Sequence, residues 1–321
     1  QSLGDYFRTT DGANGGTTQF NTSRRQATWQ NDITLDKDIL SLMLESRNET
    51  VDSSTAYTVT SRDVRSALVS YALNRPLWNA LLVARNDDNS QFGNFNNWAV
   101  SGGYRMTDSL RVVASLGTSF QAPTFNQLYY PGFGNTALVP QKNRATELGL
   151  KYHSGDVSMG AVVYNNDIQG FIIPTTNVQS SLAVLRGVTL TGDVQAGDTT
   201  YSLSYDYADP RSYSTSPAAN DLRLVRIACN VFNARVTHQL GSFNVFGELK
   251  VSGDREDNNL SFTGRDLLPG YTLLNLGVNW KLQKHVALLG RINNLTDAQY
   301  NLANGFSMPG RNLFVSVNWA M

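Results

Sequence analysis

Three histidines, a single cysteine and two short runs of carboxylates are the groups in this 321-residue chain that could carry chemistry. His153 falls in a short turn, His238 on a mostly apolar face and His285 beside another turn, so none has the spacing that would hold a metal ion with a neighbour. Hydrolysis by a serine needs a histidine within reach of it, and no such local arrangement is legible. The chain therefore reads as a non-enzyme, with no catalytic residue. Asp87-Asp88-Asn89 and Asp254-Arg255-Glu256-Asp257 offer oxygen atoms that calcium could use, but read more simply as solvated loop tips. Neither a metal ligand nor a cofactor is assigned. Cys229 alone permits no intrachain disulfide. Ligand contact without catalysis suits Phe125, Asn126, Gln127, Tyr129 and Tyr130, where aromatic rings bury area with few rotamers to freeze and amides add directed hydrogen bonds. The same five residues could equally pack their loop onto its neighbours.

Whatever these side chains do, strands must position them. Over the last residues Leu313, Val315, Val317, Trp319 and Met321 are apolar, Asn312, Ser316, Asn318 and Ala320 are small or polar, and Phe314 breaks the alternation. A period of two means a strand whose faces meet two different environments. The pattern recurs in Leu40, Leu42 and Leu44, in Leu110, Val112, Ala114 and Leu116, in Tyr201, Leu203, Tyr205 and Tyr207, and in Leu274, Leu276, Val278 and Trp280. It is least clear over residues 77–86. Trp98, Tyr104, Tyr152, Tyr201, Phe243, Tyr271, Trp280 and Trp319 fall on the expected outward face. Arg111, Glu147, Lys151, Arg235, Glu248, Lys250 and Arg291 fall on the other, as an expected ladder of paired charges.

Between the strands, tight turns such as Asp36-Lys37, His153-Ser154-Gly155 and Gly241-Ser242 alternate with long polar connections. The latter are expected up to Ser23, from Asp87 to Asn94, from Gln121 to Asn143, from Asp209 to Asp221, from Gly253 to Asp266 and from Asn294 to Pro309. About sixteen strands of roughly ten residues give an all-β chain with the up-and-down antiparallel meander of a transmembrane β-barrel. By barrel convention the short turns and both termini are periplasmic and the long loops extracellular, in contact with lipopolysaccharide.

Composition agrees. Charged residues are only 16% and apolar residues only 41%, with Asn, Ser, Thr, Gln and 26 Gly filling the difference. That balance fits strands with one wet face, although a soluble all-β adhesin or lectin shares it. Lys plus Arg and Asp plus Glu are equal at 26 each, which argues against nucleic acid as a partner. No run of eighteen apolar residues is present for a spanning helix. The chain starts at Gln1 without an initiator Met or a signal peptide, so a processed or partial product is expected.

Two stretches then carry a resemblance. Gly117-Thr-Ser-Phe-Gln-Ala-Pro-Thr-Phe-Asn-Gln-Leu-Tyr-Tyr130, followed by Pro140 and Glu147-Leu-Gly-Leu150, resembles a strand and loop of TonB-dependent outer-membrane transporters. Arg291-Ile-Asn-Asn-Leu-Thr-Asp297, with Tyr300 and Pro309-Gly-Arg-Asn312, looks like that family's C-terminal signature, and Arg186-Gly187-Val188 like a recurring strand start. The overall spacing is most similar to that of its cobalamin transporters. The resemblance implies an uptake receptor whose extracellular loops capture a small molecule, a corrinoid in this case, whose polar periphery the loop amides could meet. It also implies a barrel of about 22 strands around an N-terminal plug that contacts TonB. Neither the plug nor roughly six of those strands are found here. Residues 1–321 thus correspond to the C-terminal barrel section, either as part of a larger ring or as a smaller one that would form a passive porin-like channel by itself. The terminal Met321 departs from the usual Phe but keeps the outward parity. Calcium sites of the cobalamin transporters belong to early strands, so no metal residue carries over.

Overall fold

The structure, a computed structural model, describes residues 5–10, 17–174, 176–217 and 220–319, with side chains from Gln19 onward. Gly4 and Met321 lie outside the described residues, and so does the outward parity expected of the latter. One antiparallel sheet dominates. Its strands are β1 (Asp5–Thr10), β2 (Thr17–Leu35), β3 (Asp38–Ser53), β4 (Ser61–Asn74), β5 (Trp78–Asn89), β6 (Gly93–Arg105), β7 (Leu110–Gln121), β8 (Gln141–Ser154) and β9 (Val157–Gln169). They continue as β10 (Leu182–Ala196), β11 (Thr199–Tyr213), β12 (Asn230–Leu240), β13 (Phe243–Ser252), β14 (Tyr271–Gln283), β15 (Val286–Asn293) and β16 (Asn312–Trp319). Each strand pairs with the next in chain order, the meander expected. Among the described residues β1 and β16 have no partner on their outer edges, so the sheet is open.

Several expectations on length are corrected. Many strands are longer than about ten residues, β2 with 19 and β3 with 16, while β13, with 10, and β15, with 8, keep to the expected length or fall below it. The excess lies toward the long-loop rim, where polar residues such as Arg24, Asn48 and Asp63 keep pairing after the apolar alternation has stopped. Pairing needs only backbone groups, which a polarity pattern cannot register. For the same reason the connection expected from Asp87 to Asn94 shrinks to residues 90–92, and β2 already begins at Thr17, before the expected end of its loop at Ser23.

Register fixes the two faces. Tyr71 lies opposite Leu82 and Leu82 opposite Val100, which settles the parity of residues 77–86: Trp78, Ala80, Leu82 and Ala84 point outward. The outward residues are apolar and open to the surroundings, Leu148 at 53% exposure and Leu203 at 51%. The chain's five tryptophans, Trp29, Trp78, Trp98, Trp280 and Trp319, share this face. Trp78, Tyr104, Tyr152, Tyr201, Phe243 and Trp280 form a belt beside the short turns, with the Phe243 and Trp280 rings stacked 5.4 Å apart. Such a belt suits a membrane interface. Tyr271 is a correction: it lies opposite Ser252 on the inner face and packs its ring 4.4 Å from Tyr300.

Almost no apolar side chain is buried between sheet layers. The buried apolar cluster, Leu128, Leu138 and Ile172 with Phe92 and Tyr129 against it, sits instead under the long connections. Among the described residues nothing covers the outer face. On the inner wall Phe246 lies flat over Gly277, where a Cβ would collide with the ring, and the Arg235 and Arg291 guanidiniums cover that ring at 4.3 and 5.9 Å. Gly277→Val is expected to cost about 1–3 kcal/mol through this overpacking. The urea midpoint of the barrel in micelles checks it, with Gly247→Val, where only the tip of Leu276 is near, as the milder comparison.

Candidate functional site

The long-loop rim of the sheet is built as two braced groups of connections. In the first, residues 122–140 fold back over the inner face. Thr124 caps the short helix α1 (Phe125–Tyr129): its side chain accepts from the Gln127 amide at 3.2 Å, and the Gln127 side chain accepts from the Thr124 amide at 2.9 Å. This reciprocal capping box explains a helical turn that the sequence pattern missed. Arg62 on β4 bonds Glu49 at 2.6 Å and the Pro123 carbonyl at 2.9 Å, and its guanidinium covers the Phe125 ring at 5.2 Å. β4 and the loop after β7 can meet in this way only if the sheet curves with its polar face concave.

The five residues singled out for ligand contact are thereby placed. Phe125 is buried beneath Arg62, and Gln127 completes the helix cap. Tyr129 takes a hydrogen bond from the Gln91 side chain in the 90–92 turn. Asn126 accepts from the Tyr57 hydroxyl at 2.7 Å, and Tyr130 packs edge-on against Tyr57 with centroids 6.4 Å apart. Burial, then the neighbouring Tyr130, holds the Tyr57 phenol above its usual pKa, so it remains a donor at neutral pH. Asn177, at φ 54°, donates to the Gln127 and Phe133 carbonyls at 2.7 and 2.9 Å and ties the 170–181 connection to this group. A cleft of about 490 Å3 opens beside it, lined by Thr22, Arg24, Glu49, Arg62, Phe125 and Asn126. Tyr57, Arg62 and Asn177 were not singled out from the sequence, where nothing in their local pattern distinguishes them.

In the second group Asp257 is the hub. It is fully buried, accepts from Arg226 Nε at 3.0 Å on both oxygens, and takes the Asn304 and Asn258 amides at 2.7 and 2.8 Å. The connections 214–229, 253–270 and 294–311 thus meet on one carboxylate. Asn304 also reaches Asp266 at 2.7 Å, and Arg265 reaches Glu256 at 2.8 Å. The reading of both acidic runs as solvated tips is corrected here. Asp87 and Asn89 are buried as well, at 4% and 3% exposure, and Asp87 holds Ser66 at 2.6 Å and Arg85 at 2.8 Å. The missed signal is the basic company of the later run, Arg223, Arg226 and Arg265. Among the described residues no group of three His, Cys, Asp or Glu side chains could hold a metal ion.

Below the rim the inner wall carries ion pairs. Glu248 joins Arg235 at 2.5 Å and Arg291 at 2.6 Å, and Arg85 also reaches Glu45 at 3.2 Å. The expectation of a ladder of paired charges holds for Arg235, Glu248 and Arg291 and fails for Arg111, Glu147, Lys151 and Lys250, which among the described residues form no ion pair.

A polar, charge-paired concave wall, an apolar outer face and a braced loop rim are the parts of a receptor barrel. Residues 1–295 match the family described as TonB dependent receptor-like, beta-barrel. The chain belongs to this family. It is 30% identical over 282 residues to the vitamin B12 transporter BtuB of Vibrio vulnificus, a match that spans 83% of this chain and 44% of that protein. It therefore covers less than half the length of that curated relative. Among solved structures it resembles the ferric enterobactin receptor PfeA of Pseudomonas aeruginosa at TM-score 0.79 and 16% identity, over 96% of this chain and 55% of the receptor. The FrpB iron transporter of Neisseria meningitidis follows at TM-score 0.78 and 12% identity, over 95% of this chain and 56% of the transporter. The structural likenesses show the fold alone, and the family match adds that the family is one of outer-membrane receptors and transporters rather than enzymes.

Proposed function

We propose that residues 1–321 are the C-terminal barrel section of a TonB-dependent uptake receptor for cobalamin or a related corrinoid. In this reading the long connections are extracellular, the short turns and both termini periplasmic, and lipid with lipopolysaccharide covers the outer face. The ligand enters at the braced rim and passes through the barrel once TonB, acting on a plug domain outside this chain, clears the lumen. The observation that carries the corrinoid is the 30% identity to BtuB across 83% of the chain, about twice that to the iron-siderophore receptors of the same fold.

Chemistry at the rim supports the same choice. A corrinoid is large, bears many amides and needs aromatic surface and neutral polar groups, and Tyr57, Tyr130 and the Asn126 amide provide rings and an amide there. A ferric catecholate is a polyanion and needs uncompensated cations near the mouth. Of the cations near the mouth, Arg62 shares Glu49 with Arg47 and Arg226 is paired with Asp257, while Arg24 in the cleft bonds the Gln26 amide. Titration of the intact protein with cyanocobalamin and with a ferric catecholate tests this. The corrinoid is expected to bind at least about a hundred-fold more tightly, a difference of ~2.7 kcal/mol. Equal or reversed affinities would overturn the substrate. Planar-bilayer recording separates the receptor from a passive channel: a plugged receptor is silent, and a porin conducts steadily.

A further inference from the structure

Charge around the cleft beside α1 does not balance. Over the long-loop half of β2 to β5 the described inward side chains include four cations, Arg24, Arg47, Arg62 and Arg85, and three carboxylates, Glu45, Glu49 and Asp87. The connections above them, residues 54–60, 90–92 and 122–140, contain no charged residue. Arg47 pairs with Glu49 at 3.2 Å, Arg62 with Glu49 at 2.6 Å, and Arg85 with Asp87 at 2.8 Å and Glu45 at 3.2 Å. Arg24 is the fourth. Register sets it directly opposite Glu49, whose two oxygens are already taken by Arg47 and Arg62. It donates instead to the Gln26 side-chain carbonyl at 2.8 Å, while the Gln26 amide nitrogen donates to Glu45 at 2.6 Å. Among the described side chains Arg24 is thus an exposed guanidinium on the wall of the cleft, oriented by a neutral partner and uncompensated in charge.

We infer that Arg24 and the cleft beside it form a subsite for the phosphodiester of the nucleotide arm that a complete corrinoid carries below its ring. The inference rests on the proposed reading of the intact protein as a corrinoid receptor. A complete corrinoid bears neutral amides around its ring and one ionised group on its periphery, that phosphodiester, so a single surplus guanidinium matches it in charge. Guanidinium and phosphate also match in geometry, two parallel N–H donors meeting two oxygens. The cleft, about 490 Å3, lies in the lower half of the usual range for ligand pockets and fits a limb of the ligand rather than the whole. Thr22 lies two residues from Arg24 on the same inward face, and Thr124 and Asn126 line the cleft as well, hydroxyl and amide groups of the kind a ribose needs. The corrin ring is left to Tyr57 and Tyr130, which meet the cleft at Asn126.

The test titrates the intact protein with cyanocobalamin and with dicyanocobinamide, a corrinoid whose arm stops before the phosphate. Wild type is expected to bind cyanocobalamin about ten-fold more tightly, the effect of a charge-assisted contact at an exposed site. Arg24→Gln is expected to lose that preference while its affinity for dicyanocobinamide stays as in wild type. Arg24→Lys, which keeps the charge but not the fork, should retain part of it, and Arg25→Gln, next along β2 on the outward face, should behave as wild type. The wild-type preference should also shrink as salt rises, a readout that needs no variant. Heat-modifiable gel migration confirms that each variant has assembled. Should Arg24→Gln fail to assemble, a wild-type preference that salt leaves unchanged overturns the subsite by itself. A preference that survives Arg24→Gln, or an equal loss of both ligands in that variant, would overturn the subsite while leaving the corrinoid reading intact. Failure of wild type to bind either corrinoid would overturn both.

Discussion

Leu148→Arg is expected to destabilise the membrane-inserted protein by about 2–4 kcal/mol, the cost of a cation near the middle of the hydrocarbon layer on a lipid-facing strand. Leu148 lies on β8 between Ala114 and Val163, four residues above the Tyr152 belt, and is 53% exposed. In a soluble protein a leucine that exposed could become arginine with a change inside about 0.5 kcal/mol. The urea midpoint in lipid vesicles tells the two apart. Leu260→Arg, in the 253–270 connection at 71% exposure, is the control and is expected to fall inside that smaller range. Equal effects at the two positions would mean that the outer face meets water.

Asp257→Ala is expected to release three connections at once. The substitution leaves the Arg226 guanidinium and two backbone donors without their acceptor in a site that excludes water. Breaking a buried pair costs about 3–5 kcal/mol, but Arg226 is partly exposed and can regain water, so about 2–3 kcal/mol of local stability should be lost. Hydrogen exchange should then rise in residues 214–229, 253–270 and 294–311 and stay as in wild type in residues 122–140, which the other braced group holds. Asp257→Asn keeps the shape and part of the hydrogen bonding and should lie between. If protection in 294–311 were unchanged, the hub would hold nothing.

Much of this architecture was legible because a strand with different environments on its two faces writes a period of two into its sequence, as β7, β11 and β14 do, and β16 too apart from Phe314. The alternation of tight and long connections followed from the same runs and predicted the meander. What the pattern could not show was where pairing ends. Beyond the apolar band Arg24, Asn48, Asp63 and Asp87 remain in strands because their backbones still have partners, so expected loops became strand ends. Tyr271 was misplaced because aromatic character does not tell a lipid-facing ring from one stacked on Tyr300. At the rim the five residues chosen for their chemistry were brought together, with Phe125 and Gln127 taken up in building the loop itself. Their partners Tyr57, Arg62 and Asn177 come from other connections, and a contact across 69 residues, as between Tyr57 and Asn126, leaves no local trace. The same holds for Asp257, whose acidic neighbours gave it the look of a solvated tip.

The account depends on the outer face meeting lipid, and the tryptophans report on it directly. All five in the chain lie on that face. The measurement is tryptophan fluorescence of the intact protein, with any tryptophan outside residues 1–321 replaced by phenylalanine, in vesicles whose acyl chains carry bromine. Emission is predicted to fall to a small fraction of that in unbrominated vesicles. Emission that bromine leaves unchanged would place those rings in water or in a protein core and contradict the barrel.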